Sequence, residues 1–179
     1  MMDDMKPYAV HDENNVKGFF GEYRWMSNFF ICPVQYEGVE YQSAENAYQS
    51  SKIKPEFRVD FIDVQPYVAK TMWKKYPRVD ASKDEWDARK FNVMAQIVFY
   101  KFTRNMDLRV KLLKTNDRYL EETNSWGDFY WGHDINQKRG ENQLGIILMS
   151  TRSYWGTVYR GRVKTETRIL SNVVQKTAS

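Results

Sequence analysis

Residues 127–132, Gly-Asp-Phe-Tyr-Trp-Gly, place one acid beside bulky aromatic residues in a glycine-rich segment. Glycine and aspartate disfavour regular helices and strands, so the segment is predicted to form a loop. Binding and catalytic groups concentrate in loops that a rigid scaffold supports. The carboxylate of Asp128 beside flat aromatic faces suits a ring-shaped ligand that is both stacked upon and polarised. A purely structural alternative is that Trp131 is a buried wedge that pins a surface loop.

A second group of polar residues falls on a predicted helix that Ser43 can cap and that runs to about Lys54, before Pro55. These residues are spaced i, i+3 or i+4, and i+7, so they share one helical face: Glu45, Tyr48 or Gln49, and Lys52. Because Glu45 lies in the first turn, the helix dipole is expected to favour its ionised form. For an isolated helix, a solvent-exposed stripe of salt bridges is the commoner meaning of such a pattern.

The elements that position these groups are mostly helical. A capping box at Ser82–Glu85 precedes a long helix predicted from Trp86 to about Asn105. Its core-facing stripe has spacings of three and four: Phe91, Met94, Val98 and Phe102. A neighbouring stripe mixes aromatic and cationic residues, as on a boundary face where lysine stems cover the core: Trp86, Lys90, Met94, Ile97 and Lys101.

The other predicted elements are short. They are strands and turns in 19–41, one or two helices in 57–76, a helix from Asp107 to Lys114, a strand in 119–123 and a helix from Leu144 to about Tyr154 that Asn142 can cap. The fold class is therefore α+β: a mainly helical single domain with a small β-sheet. The catalytic domain is expected to span 17–155, between a flexible segment, 1–16, and a basic C-terminal extension, 156–179.

Composition restricts the class of protein. The chain has 179 residues, enough for one domain with a sizeable core. The single cysteine, Cys32, excludes an intramolecular disulfide and fits a reducing, cytoplasmic setting. Neither histidine has a partner at metal-ligand spacing, so no metal and no cofactor are expected. No apolar run is long enough to cross a membrane. The net charge of +4 is compatible with a phosphorylated ligand or with nucleic acid.

A longer series of motifs is more specific than any single one. In chain order these are Ser27-Asn28-Phe29, Pro33, Ser43-Ala44-Glu45, Tyr48-Gln49, Lys52, Trp86, Met94, Lys101-Phe102, Leu112-Leu113, Leu120-Glu121-Glu122, Asp128-x-x-Trp131-Gly132, Gly140-x-Asn142-x-Leu144-Gly145, Leu148-Met149 and Arg152. The series, from about Phe19 to Arg152, resembles the NADAR family. The resemblance implies cleavage of N-glycosidic bonds to ribose. Some members act on phosphoribosylated intermediates of riboflavin synthesis, and others remove ADP-ribose from modified guanine.

The resemblance also implies roles for individual residues. Glu45 matches the glutamate of the family's serine-glutamate-histidine helix start, although Asn46 replaces the histidine. Trp86 matches the tryptophan that opens the long helix, and Asp128 matches the aspartate of the aromatic loop. The change at Asn46 removes a proton carrier or hydrogen-bond donor, which affects substrate detail more than reaction type.

The chemistry of N-riboside cleavage can be argued separately. Positive charge develops on C1′ as the base departs, so a carboxylate near C1′ stabilises the transition state, and a second carboxyl group can activate water or protonate the base. We assign Asp128 to C1′ or the attacking water, and Glu45 to ribose hydroxyls or proton transfer, with the reverse assignment open. Trp86 and Trp131 would stack on the ring and exclude water. Lys52 is either a phosphate or carboxylate partner, the preferred hypothesis, or an amine nucleophile that forms an imine at C1′.

The remaining candidates are expected to bind substrate. Together with Trp131 they are Ser27, Asn28, Phe29, Tyr48, Gly132, Asn142 and Arg152. Asn142 either caps a helix whose amides hold a phosphate or is an ordinary cap, and Arg152 either binds a phosphate or is a surface charge. Three hypotheses remain: removal of ADP-ribose from a nucleobase such as guanine in nucleic acid; cleavage of a small phosphoribosylated pyrimidine; and a non-catalytic module that binds ADP-ribose or NAD. The first is preferred. The sequence does not indicate the oligomeric state.

Overall fold

The computed structural model describes residues 8–177 of the chain, and the side chains of residues 8–162. The α-helices of this part are α1 (Ala44–Ser50), α2 (Pro66–Met72), α3 (Lys83–Arg104), α4 (Met106–Leu113) and α5 (Gln143–Thr177). Short 3-10 helices lie at Gly21–Met26, Pro55–Phe61 and Trp73–Lys75. The α+β class is confirmed, with helices as the main component.

The strands form three small sheets within the described residues rather than the one small sheet predicted. They are β1 (Val10–His11), β2 (Asn15–Lys17), β3 (Ile31–Tyr36), β4 (Val39–Ser43), β5 (Tyr119–Glu121), β6 (Thr123–Asn124) and β7 (His133–Asp134). The first sheet has the order β1-β2-β5, with β2 and β5 parallel, and the others pair β3 with β4 and β6 with β7.

The β3–β4 hairpin leads the chain directly into α1. Tyr36 pairs with Val39, so the turn consists of Glu37 and Gly38 alone, and both residues have positive φ angles, 45° and 81°. Two successive positive φ angles are typical of a type I′ turn, whose twist matches that of the strands it joins. The hairpin ends at Ser43, whose Oγ accepts a hydrogen bond from the Asn46 amide at 3.2 Å and caps α1.

The core lies around α3, which packs against β3, α1 and α5. The predicted N-cap is confirmed, since Ser82 Oγ accepts a hydrogen bond from the Glu85 amide at 3.2 Å. Ile97 and Phe102 are fully buried on the core side of this helix. The long predicted helix therefore provides the central support of the domain.

Several predicted boundaries differ from the structure. Helix α1 ends at Ser50, earlier than the predicted Lys54, and Asn105 rather than Asp107 occupies the N-cap of α4. Helix α5 continues to Thr177, well past the predicted end near Tyr154. The predicted flexible segment 1–16 contains β1 and the start of β2, while residues 1–7 lie outside the described part. The proposed limits of the catalytic domain remain predictions.

Candidate active site

A cavity of about 900 Å³ lies beside α1 and the N-terminal half of α3. Four carboxyl side chains line it: Glu45, Asp87, Glu122 and Asp128. Ligand pockets in proteins commonly measure about 300–1,000 Å³, so this cavity has room for a nucleotide-sized molecule. The predicted residues that line it are Ser27, Asn28, Phe29, Glu45, Tyr48, Lys52, Trp86, Asp128 and Trp131. Residues far apart in sequence thus converge on one concave site.

Helix α1 carries a hydrogen-bonded series of polar side chains into the cavity. Lys52 Nζ donates to Gln49 Oε1 at 2.7 Å, and Gln49 Nε2 donates to Glu45 Oε1 at 2.8 Å. The expected one-face spacing is thus observed, although Lys52 follows the helix end. All seven residues of α1 are buried, which excludes a solvent-exposed stripe of salt bridges.

Burial controls the electrostatics of Glu45. Loss of solvation raises the pKa of the Glu45 carboxyl, against the opposing effects of the Gln49 hydrogen bond and of the Lys70 and Lys52 charges. Burial therefore acts against the helix dipole, whose effect of about 1 kcal/mol favours the ionised form.

Burial acts on Lys52 in the opposite direction. Loss of solvation lowers the pKa of the Lys52 amine to about 8, and the Glu45 charge only partly opposes that effect. The Nζ atom lies 4.8 Å, 4.6 Å and 5.4 Å from the ring centroids of Tyr48, Trp73 and Trp86. An amine in this enclosure has an appreciable uncharged fraction near neutral pH. This is the property that the sequence could not reveal, and it favours the nucleophile hypothesis for Lys52.

The buried side chain of Asn124 makes two hydrogen bonds to the loop that carries Asp128. Asn124 Oδ1 accepts from the Asp128 amide at 3.1 Å, and Asn124 Nδ2 donates to the Asp128 carbonyl at 2.9 Å. Asp128 Oδ1 in turn accepts from the Trp131 amide at 3.0 Å. The loop prediction is thus correct, and the acid and the aromatic residue are joined by hydrogen bonds at fixed positions.

Glu122 is a cavity acid that the sequence reasoning did not single out. Its amide donates to Asn142 Oδ1 at 3.0 Å, and its carbonyl accepts from the His133 amide at 2.8 Å. Its Oε2 atom is buried and has no hydrogen-bond partner among the described residues. Burial and then the charge of Asp128 raise the pKa of Glu122 to about 8, so its carboxyl is mainly protonated at neutral pH.

The only signal for Glu122 in the sequence was its place in the Leu120-Glu121-Glu122 motif. Successive residues of a strand point to opposite sides, and pairing decides which side faces the cavity. Glu121 instead lies 3.9 Å from Lys17 Nζ and accepts a hydrogen bond from Thr123 Oγ1. Sequence alone does not distinguish these neighbouring acids.

Aromatic side chains form the walls of the cavity. Two cations lie near the ring of Trp86, with Lys52 Nζ at 5.4 Å and the Arg89 guanidinium at 4.8 Å from its centroid. Arg89 is fixed by two hydrogen bonds to Asp80, at 2.6 Å and 2.8 Å. The ring of Trp131 contacts Tyr48 edge to face, at a centroid distance of 5.5 Å. A planar ligand therefore meets rings whose orientation is already set.

The Ser27–Phe29 segment forms another part of the wall. Lys101 is fully buried, and its Nζ donates to the Ser27 carbonyl at 2.8 Å. The Asn28 carbonyl accepts from the Glu45 amide at 3.0 Å, while the buried Asn28 Oδ1 has no hydrogen-bond partner in the described part of the chain. An unpaired buried acceptor beside a cavity suits a ligand hydroxyl or amide.

Three predicted binding residues, Gly132, Asn142 and Arg152, are not among the described residues that line the cavity. Asn142 Nδ2 donates to the Leu120 carbonyl at 2.9 Å, and Arg152 Nη1 donates to Thr115 Oγ1 at 2.7 Å. These hydrogen bonds join α5 to the segment around β5. The two side chains therefore have structural roles in the described part of the chain, and their predicted phosphate contacts remain predictions.

Three amides at the start of α5 are already hydrogen-bonded to the loop that carries Asp128. The amides of residues 142, 143 and 144 donate to loop carbonyls of residues 132, 130 and 131, at 3.2 Å, 3.1 Å and 3.1 Å. Gly132 is required for this packing, because a Cβ atom there would lie 2.2 Å from the Glu122 carbonyl oxygen. The helix terminus thus packs against the loop that carries Asp128.

Two further observations concern the described residues only. They contain no group of three or more histidine, cysteine or acidic side chains that could hold a metal ion. No helix among them is long and apolar enough to span a membrane.

The fold and the cavity define an α+β domain with an acid- and aromatic-lined ligand site. Residues 13–154 match the model of the NADAR domain. The chain therefore belongs to the NADAR domain family, as the motif series indicated.

Named relatives agree with this membership. The chain is 33% identical over 133 residues to "N-glycosidase YbiA" of Shigella sonnei, covering 73% of this chain and 81% of that protein. It is 30% identical over 155 residues to "Riboflavin biosynthesis protein VVA0006" of Vibrio vulnificus, which covers 82% of this chain but only 38% of the longer relative. The NMR structure of the E. coli protein YbiA superposes with a TM-score of 0.69 and 26% identity, covering 89% of this chain and 95% of that one.

Proposed function

We propose that this protein hydrolyses the N-glycosidic bond between C1′ of a ribose and a nucleobase-type nitrogen. The observation that carries the proposal is that Glu45, Glu122 and Asp128 line one aromatic-walled cavity together with the Lys52 amine, whose pKa is lowered. The chain is a hydrolase of N-glycosyl bonds, in agreement with the names of its relatives.

The leaving base needs a proton, and Glu122 is placed in the cavity to supply one. Glu122 holds its proton at neutral pH because its pKa is raised to about 8. In the proposed reaction its carboxyl donates that proton to the departing nitrogen, while the carboxylate of Asp128 stabilises positive charge at C1′. Glu45 acts through Gln49, since the hydrogen bonds of α1 join its carboxyl to Lys52. The sequence assigned proton transfer to Glu45, and this proposal assigns protonation of the base to Glu122 instead.

Lys52 supplies the nucleophile in this proposal. Its uncharged amine forms a bond to C1′ as the bond from C1′ to the base nitrogen breaks. Loss of a proton from the new secondary amine and opening of the ribose ring give an imine, and water then adds to its carbon and releases the sugar. The sum is one water consumed, one free base and one free sugar formed. The lowered pKa and the enclosure by aromatic rings support this role over that of a simple phosphate partner.

We further propose ADP-ribose attached to guanine, in a nucleotide or in nucleic acid, as the substrate. The cavity of about 900 Å³ is larger than a ribose phosphate requires, and cationic side chains also line it: Arg24, Lys70, Arg78, Lys83 and Lys90. Phosphoribosylated intermediates of riboflavin synthesis are the second candidate, which the name of the Vibrio vulnificus relative favours.

One comparison tests these proposals. Guanine-ADP-ribosylated oligonucleotide and phosphoribosylated riboflavin intermediates are each incubated with the wild type, Asp128→Asn, and the exposed-surface control Asp63→Asn. Release of ADP-ribose from the oligonucleotide, lost only in Asp128→Asn, is the expected result. Turnover of the small intermediates alone would select the second candidate. Binding of ADP-ribose without any turnover would refute the enzyme proposal and leave a binding module.

A further inference from the structure

We propose that Phe29, Lys70 and Trp126 form a second subsite at the exposed edge of the cavity, which stacks an aromatic base and binds its phosphate. All three side chains line the same cavity as the acids, but the reaction at C1′ uses none of them. The inference rests on the proposed function, because it concerns the part of the ligand that lies away from the reacting bond.

Trp126 is exposed yet held in place. Its side chain is 56% exposed, and its amide donates to Asn124 Oδ1 at 3.2 Å. The next amide, of Gly127, donates to Asp134 Oδ2 at 2.8 Å. The same Asn124 oxygen accepts from the Asp128 amide. The backbone at Trp126 and the backbone at Asp128 are therefore both fixed to the same Asn124 side chain.

Lys70 completes the subsite with a positive charge. Its Nζ lies 5.4 Å from the ring centroid of Phe29 and 5.9 Å from that of Trp126. Lys70 is exposed, so a phosphate in solvent can reach it. Aromatic rings that stack on a base, with a cation for the backbone, are the elements by which proteins bind single nucleotides of a strand.

Two parts of the proposed substrate carry both an aromatic base and a phosphate. One is the adenosine half of ADP-ribose, and the other is a nucleotide that neighbours the modified guanine in a strand. A phosphoribosylated pyrimidine has neither a second base nor a neighbouring phosphate. Use of the subsite by either source would therefore explain a preference for larger substrates.

The test is calorimetric binding of three ligands: ADP-ribose, ribose 5-phosphate and a short single-stranded oligonucleotide. The variants are Trp126→Ala, Trp126→Phe and, as a matched control on α5, Tyr159→Ala, where the tyrosine is 64% exposed. Stacking on one ring is worth about 5- to 150-fold in affinity. We expect Trp126→Ala to weaken a base-bearing ligand by that factor and to leave ribose 5-phosphate unchanged. Trp126→Phe should retain most of the affinity, and Tyr159→Ala all of it.

The pattern of loss separates the sources. Weaker ADP-ribose binding identifies the ligand's own adenosine, and loss confined to the oligonucleotide identifies a neighbouring base. Equal loss for ribose 5-phosphate, unchanged binding of every ligand, or no binding of base-bearing ligands by the wild type would overturn the subsite. Retained base-dependent binding without turnover would overturn the proposed function and leave the subsite standing.

Discussion

Replacing Glu122 by glutamine should make this protein more stable at neutral pH and much less active. The wild-type carboxyl is buried at Oε2 without a hydrogen-bond partner in the described residues, and its pKa is raised to about 8 from an ordinary value of 4.5. In the unfolded chain the same carboxyl ionises near its ordinary value. Between these two pKa values, folding therefore requires the uptake of a proton.

The sign and magnitude follow from this proton. A raised pKa contributes stability that is fully present below pH 4.5 and is lost as the pH rises towards 8. Each pH unit within that window removes about 1.4 kcal/mol. From pH 5 to pH 7 the wild type should thus lose about 2 to 3 kcal/mol relative to Glu122→Gln, which has no proton to gain. For a chain of this size the loss corresponds to about 5–10 °C in Tm.

The assay is urea unfolding of wild type and Glu122→Gln at half-unit steps from pH 4.5 to pH 8. Glu141→Gln, at an exposed position, is the control and should follow the wild type throughout. In parallel, kcat/KM should fall about 10²- to 10⁴-fold in Glu122→Gln, because the amide has no proton to donate to the leaving base. A stability difference that stays constant across the pH range would refute the reasoning that burial keeps Glu122 protonated.

Three further predictions concern other parts of the site. If Lys52 must lose its proton and Glu122 must keep its own, kcat/KM should rise towards pH 8 and fall above it, and Glu122→Gln should lose the falling limb. Borohydride should trap a sugar adduct in wild type but not in Lys52→Arg, whereas the absence of any adduct in wild type would restore the phosphate-partner role of Lys52. Gly132→Ala should lower the free energy of unfolding by several kcal/mol, since no room exists for a Cβ atom. Gly161→Ala, with open space around it, should be neutral or slightly stabilising, and thermal melts of both variants measure the difference. Asn124→Ala should reduce kcat at least about tenfold, because the Asp128 turn loses the hydrogen bonds of that side chain. The helix content measured by circular dichroism should stay unchanged. An unchanged kcat would show that other contacts hold the turn.

Local patterns in the sequence were sufficient for the elements and for much of the cavity. The capping box at Ser82 marks the start of α3, because a cap is an interaction between residues three apart. The one-face spacing of Glu45 and Lys52 survives in the structure for the same reason, as does the loop around Asp128. Each of these features depends on neighbours that the sequence itself places within a turn or two.

Only the tertiary structure decided which polar groups are buried and what burial does to them. Glu122 enters the cavity because β5 pairs with β2, whose residues are about a hundred positions away. Asn142 and Arg152 are turned away from the ligand because α5 packs against that same strand region. The pKa values of Glu45 and Lys52 move in opposite directions once contacts from distant segments exclude water. Desolvation depends on every atom within several ångströms of the titratable group. Most of those atoms belong to residues distant in sequence, so they become neighbours of the group only when the chain folds.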